Sequence, residues 1–244
     1  MIKASFRFYA ELNDLLPMDK RAVTFELEFP PGQTVKHMIE SSGVPHTEVD
    51  LILANGEPVN FSFQLQQGDR VSVYPIFETL DITSLVKLRP EPLRVCAFVL
   101  DCHLGRLAAY LRLLGLDVLY RNDYSDEELA EISEKAKRIC VTRDRGLLKR
   151  KQISHGCLIH SLDPREQALE VVRRFQLEQQ LKPFTRCVKC NGLLQEVHES
   201  EIADQLLPGT RENYHDFAQC AQCGKLFWKG SHYNRLLEFI AYVQ

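Results

Sequence analysis

Over the first eighty residues, apolar and polar side chains alternate in short runs. Residues 4–9 and 22–29 follow the two-residue period of half-buried strands, with Val23, Phe25, Leu27 and Phe29 on one side of the second run. A short polar turn between them gives a predicted β-hairpin. Pro31-Gly32-Gln33-Thr34 then ends the strand and caps a helix carrying Val35, Met38 and Ile39 on one face. Short strands are predicted at Leu51 to Ala54 and Val71 to Ile76. One helix laid over a mixed sheet in the order ββαββ is a β-grasp.

From Leu93 the period changes. Residues 93–100 form a nearly continuous apolar run, as expected of a strand covered on both faces, and Asp101 stands at its C-terminal edge. Open α/β sheets place their ligands at such edges. A helix from about Leu104 to Leu114 puts Leu107, Ala108, Leu111 and Leu114 at helical spacing, and Gly115 ends it. Residues 117–120 supply the next strand. Ser125-Asp126-Glu127-Glu128 reads as a capping box opening a helix that runs to about Lys137. A third strand, residues 138–142, leads to Asp144, and a fourth, Cys157 to His160, precedes Asp163 and Pro164. The pattern predicts a parallel α/β domain. Before it, Lys87 to Pro92 contains two prolines that force extended backbone, which marks a linker.

Cysteine spacing changes the reading of the C-terminal part. Cys187-Val-Lys-Cys190 and Cys220-Ala-Gln-Cys223 are two C-x2-C knuckles with 29 residues between them, and four such thiolates form the soft tetrahedral set that Zn2+ prefers. The competing reading, two disulfides in a secreted domain, is opposed by an N-terminus without an apolar signal core. No apolar run approaches the ~18 residues needed to span a bilayer. A cytoplasmic protein is expected. The net charge of −3 hides an asymmetry: residues 1–92 carry −5 and residues 93–244 carry +2, which assigns any polyanion partner to the C-terminal part.

The acids at strand ends supply the candidate chemistry. Asp101 and Asp144 each follow a buried strand, and two such carboxylates can converge on Mg2+ or Mn2+, which take hard oxygen ligands. A bound ion of this kind activates water and stabilises charge developing on a phosphodiester. Arg106, Arg143, Arg145 and Lys149, with Arg150 and Lys151 beyond them, are candidates for holding the flanking phosphates. The plainer roles are helix capping for the acids and solvation for the basic run.

These residues also carry a resemblance. Phe98-Val99-Leu100-Asp101-Cys102-His103-Leu104-Gly105-Arg106-Leu107-Ala108, residues 111–117, Thr142-Arg143-Asp144-Arg145-Gly146, Arg186-Cys187-Val188-Lys189-Cys190-Asn191-Gly192, and Cys220, Cys223 and Trp228-Lys229-Gly230-Ser231-His232 resemble the Mut-seven C-terminal ribonuclease family over roughly residues 93–236. The resemblance implies a PIN-like nuclease fold with a zinc ribbon, preceded in some members by a ubiquitin-like domain, and metal-dependent RNA cleavage. By position it makes Asp101 and Asp144 metal-binding acids, with Asp126 or Glu127 as the helix-borne acid and Asp163 a weaker fourth candidate. Arg145 stands where some PIN relatives have the second acid of an Asp-x-Asp pair. Residues 68–75 also resemble the last strand of the small sulfur carriers, but the chain runs on instead of ending in their Gly-Gly, so a docking or substrate-positioning module is expected.

The expected organisation is therefore multidomain, α/β and α+β. A ubiquitin-like β-grasp domain spans 1–80, a linker 81–92, a PIN-like nuclease domain with a parallel sheet 93–181, and a zinc ribbon domain 182–244. The expected function is a divalent-metal-dependent (endo)ribonuclease with catalytic Mg2+ or Mn2+ and structural Zn2+. Its expected partners are RNA and a protein docked through the β-grasp domain; a homodimer is admitted and a membrane is not. The alternative is a catalytically weak RNA-binding or ribosome-associated adaptor. Trp228 is a candidate for stacking on a base or for packing beside the zinc site.

Overall fold

A computed structural model describes residues 1–75 and 96–244, so the expected linker at 81–92, Ile76 and the start of the strand at Leu93 lie outside the described residues. The N-terminal part is a mixed sheet under one helix. Strands β1 (Ile2–Phe8) and β2 (Phe25–Phe29) pair antiparallel, with Ile2 opposite Phe29 and Phe6 opposite Phe25. Helix α1 (Val35–Ser41) follows, and the Thr34 hydroxyl accepts the His37 N–H at 3.3 Å as its cap. Strands β3 (Val49–Ala54), β4 (Glu57–Val59) and β5 (Arg70–Pro75) complete the sheet in the order β2-β1-β5-β3-β4, with β1 and β5 parallel. Ala4, Phe6 and Phe8 alternate inward and meet Val35, Ile39, Ile52 and Val73 in the core.

Three details depart from expectation. The connection from β1 to β2 is not a short polar turn: it holds two 3-10 turns, Ala10–Leu15 and Met18–Lys20, and buries Leu12, Leu15 and Leu16. Val23 is exposed and precedes β2, because that strand begins at Phe25. β4 is a fifth strand, joined to β3 through Asn55 and Gly56, both at positive φ.

The middle of the chain forms a parallel sheet with helices. Strand β6 (Ala97–Leu100) leads through helix α2 (Gly105–Leu113) to β7 (Asp117–Tyr120), which pairs with it in parallel. Helix α3 (Asp126–Ala136) leads to β8 (Ile139–Thr142), and helix α4 (Arg145–Leu148) to β9 (Gly156–Leu158), again a parallel pair. The predicted capping box opens α3: Ser125 accepts from the Glu128 N–H, and the Glu128 carboxylate accepts from the Ser125 N–H. Helix α5 (Pro164–Arg174) closes this region.

The C-terminal part is a small antiparallel sheet. Strand β10 (Leu194–Val197) precedes the short helices α6 (Glu199–Ile202) and α7 (Pro208–Asn213). Strands β11 (Phe217–Cys220) and β12 (Leu226–Trp228) then complete the order β10-β11-β12, and helix α8 (Tyr233–Val243) ends the chain. Among the described residues no helix is long and apolar enough to cross a membrane.

Two compact units result. The first combines the described part of Met1–Val95 with Ser125–Leu158; the second combines Cys96–Tyr124 with Ile159–Gln244. Within the first, the β-grasp segment is joined to the α3–β9 segment by buried polar contacts. The Leu158 N–H donates to the Glu48 carboxylate at 3.0 Å, and Glu48 is only 4% exposed. His46, also buried, has one ring nitrogen 2.7 Å from the Glu40 carboxylate and the other 3.0 Å from the Ile153 carbonyl. Such contacts are satisfied only in one docked arrangement, so they fix register as well as adding stability.

Candidate functional site

Asp101 directly follows β6 and is 7% exposed. It holds the N-cap position of the 3-10 turn Cys102–Leu104, yet its side chain makes no cap hydrogen bond there. One ligand atom each from Asp101, Cys102 and His103 lie within 4.8 Å of one another, a grouping able to hold a metal ion. Burial pushes the Cys102 thiol up, and the neighbouring Asp101 carboxylate pushes the same way. The thiol therefore keeps its proton at neutral pH, which leaves the carboxylate as the donor suited to a hard cation. Tyr120 supports this turn from β7, donating to the Cys102 carbonyl at 2.9 Å. A Cβ on Gly105 would come within 2.6 Å of that hydroxyl, so the turn into α2 needs glycine there.

The other three acids lie in the first unit, where each has a protein partner. Asp144 caps α4, accepting the Gly146 N–H at 2.6 Å. Asp126 and Glu127 both face Arg150, at 3.4 and 2.9 Å. Glu127's own backbone N–H, and then the Arg150 guanidinium, hold its carboxyl below the usual range. Asp163 caps α5 through the Arg165 and Glu166 N–H groups, the plainer role foreseen for it.

The basic candidates separate in the same way. Arg145 donates to the Leu15 carbonyl at 2.9 Å and Lys149 to the Glu40 carbonyl at 2.6 Å, so both tie α4 and its flank to the β-grasp segment. Arg106 and Arg143 are exposed side chains.

The four knuckle cysteines come together. All four Sγ atoms lie within 4.8 Å of one another, with Cys187 and Cys223 at 3.8 Å and Cys190 and Cys220 at 3.4 Å. A tetrahedron with Zn–S bonds of ~2.3 Å has sulfurs about 3.8 Å apart, so the set fits zinc. All four are free thiols, which opposes the disulfide reading. The two knuckles are built alike. Each closes with an N–H to the carbonyl of its first cysteine, from Asn191 to Cys187 at 2.9 Å and from Gly224 to Cys220 at 3.0 Å. Asn191 and Gly224 occupy the same place after the turn, at φ +73° and +69°. Burial pushes the Cys190 thiol up to about 12. Burial opposes ionisation of Cys220 too, but the N–H groups of Cys223 and Gln222 point at its sulfur and lower it to about 7.

Two residues had not been singled out as candidates. Arg112, 4% exposed, donates from Nε and Nη2 to the Val118 carbonyl of β7 and from Nη1 to the Val188 and Lys189 carbonyls inside the first knuckle. Asn191 accepts the Val118 N–H through Oδ1 and donates to Asp117. Together they lock the first knuckle onto α2 and β7. The signal was present: Arg112 lies four residues after Ala108, in the apolar row of α2, where an unpaired charge would be costly.

Comparison with known proteins divides the chain by sequence and not by compact unit. A family model described as the Mut7-C RNAse domain matches residues 96–240. The chain belongs to the Mut7-C family. A second model, Mut7-C ubiquitin, matches residues 1–81 of this Mut7-C protein. No curated protein matches it. Among solved structures, it is similar to a putative molybdopterin converting factor, subunit 1, from Pyrococcus furiosus, at 25% identity and a TM-score of 0.26, covering 31% of this chain and 98% of that one. The four-cysteine cluster falls inside the Mut7-C RNAse match, as does Asp101.

Proposed function

We propose that this Mut7-C protein is a divalent-metal-dependent ribonuclease that hydrolyses RNA phosphodiester bonds. The observation that supports this most is Asp101, a buried carboxylate at the C-terminal end of a parallel strand, inside a match to a ribonuclease domain. The acid candidates for Mg2+ or Mn2+ are Asp101 in the second unit and, in the first, Asp144 with Asp126 or Glu127. When bound, such an ion supplies charge neutralisation and a more acidic water. In this reading Asp101 would hold the ion, and the Tyr120 hydroxyl holds the Cys102 turn that follows it. Arg106 and Arg143 neutralise flanking phosphates. To hold the metal, Asp126 or Glu127 would have to give up its pairing with Arg150.

The four cysteines hold structural Zn2+, which suits a reducing, cytoplasmic setting. Domain limits at 1–80, 93–181 and 182–244, joined by a linker at 81–92, complete the proposal, with the β-grasp domain as the surface for a protein partner.

One observation favours the adaptor reading instead. Asp126, Glu127 and Asp144 already have protein partners, as acids with no catalytic duty would. The test is Asp101→Asn. Loss of cleavage with RNA binding retained supports the nuclease; RNA binding without cleavage by the unaltered protein supports the adaptor.

A further inference from the structure

The second unit contains a cavity of about 980 Å3 lined by β10, β11, β12 and the start of α8, and the proposed catalytic chemistry uses none of it. Its volume is at the upper end of the ~300–1,000 Å3 common for ligand sites. Six aromatic side chains line it: Phe184, Tyr214, Phe217, Phe227, Trp228 and Tyr233. Of these only Phe217 belongs to the buried core, and Trp228, the chain's single tryptophan, is 43% exposed on β12, an edge strand of its sheet. Tyr214 tilts against Trp228 at 6.4 Å, and Phe184 pairs with Tyr233 at 5.2 Å. The rings thus brace one another, and Lys225 and Lys229 stand over Phe227 at 5.8 Å and Tyr233 at 6.0 Å.

The charges around these rings are balanced. Lys229 bonds Asp216 at 2.6 Å, and Arg186 pairs with Asp117 at 3.5 Å. Residues 182–244 contain seven Lys and Arg against seven Asp and Glu. A site that grips a polyanion by its phosphates carries a surplus of cations, and this one does not. It offers flat π faces with histidine and hydroxyl groups beside them, His198, His215, Ser231 and His232, which can meet the polar edge of a flat heteroaromatic ring.

We infer that this groove is a nucleobase subsite, holding an unpaired base of single-stranded RNA against Trp228. The inference rests on the ribonuclease reading for its choice of RNA as ligand. Two properties follow. Duplex RNA, whose bases are stacked internally, does not enter the groove, and the groove's contribution depends weakly on salt because it neutralises few phosphates.

The test uses the full-length, zinc-loaded Asp101→Asn protein, so that binding is read without cleavage. The probe is a single-stranded oligoadenylate of about ten nucleotides, near the span of single-strand sites. With one tryptophan in the chain, intrinsic emission reports Trp228 alone. The oligonucleotide should quench it and the corresponding duplex should leave it unmoved. Adding Trp228→Ala should weaken affinity about tenfold, the size of one lost base stack, whereas Trp228→Phe should restore most of it. Tyr214→Ala, with unchanged zinc content, should weaken binding in the same direction.

Unmoved emission during binding, unchanged affinity in both alanine variants, no binding at all, or a response to an apolar peptide and not to RNA would each overturn the subsite. Cleavage by the unaltered protein is scored separately. Metal-dependent cleavage without these effects sinks the subsite alone, and quenching without cleavage sinks the ribonuclease reading alone.

Discussion

At the scale of single residues, the functional parts rest on a few groups that tolerate no ordinary replacement. Gly115 ends α2 at φ +87°, and a Cβ there would stand 2.1 Å from the Lys182 carbonyl oxygen. Gly115→Ala should therefore cost about 3 kcal/mol or more, since left-handed backbone and a clash with fixed backbone act together; chemical denaturation of the zinc-loaded protein measures it. Arg112 is similarly specific. Burial pulls its guanidinium down from the ordinary arginine range, while Cys190 and Cys187 pull it back up, so its charge is held beside the four-cysteine cluster. Arg112→Lys keeps the charge but cannot fork between Val118 and the two knuckle carbonyls. It should release zinc to a chelator at least tenfold faster than the parent, followed by a colorimetric zinc indicator; an unchanged release rate would remove Arg112 from the metal centre's support.

Among elements, the legible ones are those whose own sequence carries their period or cap. The stripe Leu107, Ala108, Leu111 and Leu114 marks α2, and Ser125 with Glu128 marks the start of α3 to the residue. The connection from β1 to β2 was not legible, because Leu12, Leu15 and Leu16 bury themselves without a helical or strand period. β4 was missed for a different reason: Glu57 and Pro58 argue against a strand, yet Asn55-Gly56 turns the chain back and pairs Ala54 with Glu57. Both cysteine knuckles were readable from spacing, whereas the attachment of the first to β7 through Asn191 depends on contacts some seventy residues distant, at Asp117 and Val118. Asn191→Gly separates the two roles of that residue. The left-handed turn should survive and zinc should still bind, but amide exchange at Val118 should rise about tenfold or more as its buried acceptor is lost. Cys187→Ser should instead lose zinc and expose the backbone of the whole β10–β12 sheet to exchange.

For the whole molecule, the sequence conveyed the kinds of layer present: a mixed sheet, a parallel sheet with helices and a small cysteine-bearing antiparallel sheet. It did not convey that the β-grasp segment shares a compact unit with Ser125–Leu158, because the contacts that join them, Glu48 to Leu158, Arg145 to Leu15 and Lys149 to Glu40, are single polar pairs far apart in the chain. Glu48→Ala should accordingly destabilise the first unit by about 1–3 kcal/mol, through the unsatisfied Leu158 N–H, with no loss of zinc. The central claim concerns chemistry, and single-turnover cleavage of a labelled single-stranded RNA across a Mn2+ titration tests it most directly. The unaltered protein is expected to cleave with a saturable Mn2+ dependence, and Asp101→Asn to fall by ~1,000-fold at equal RNA binding. Cleavage by Asp101→Asn at the parent rate, or no cleavage by the unaltered protein at any Mn2+ concentration, would contradict it.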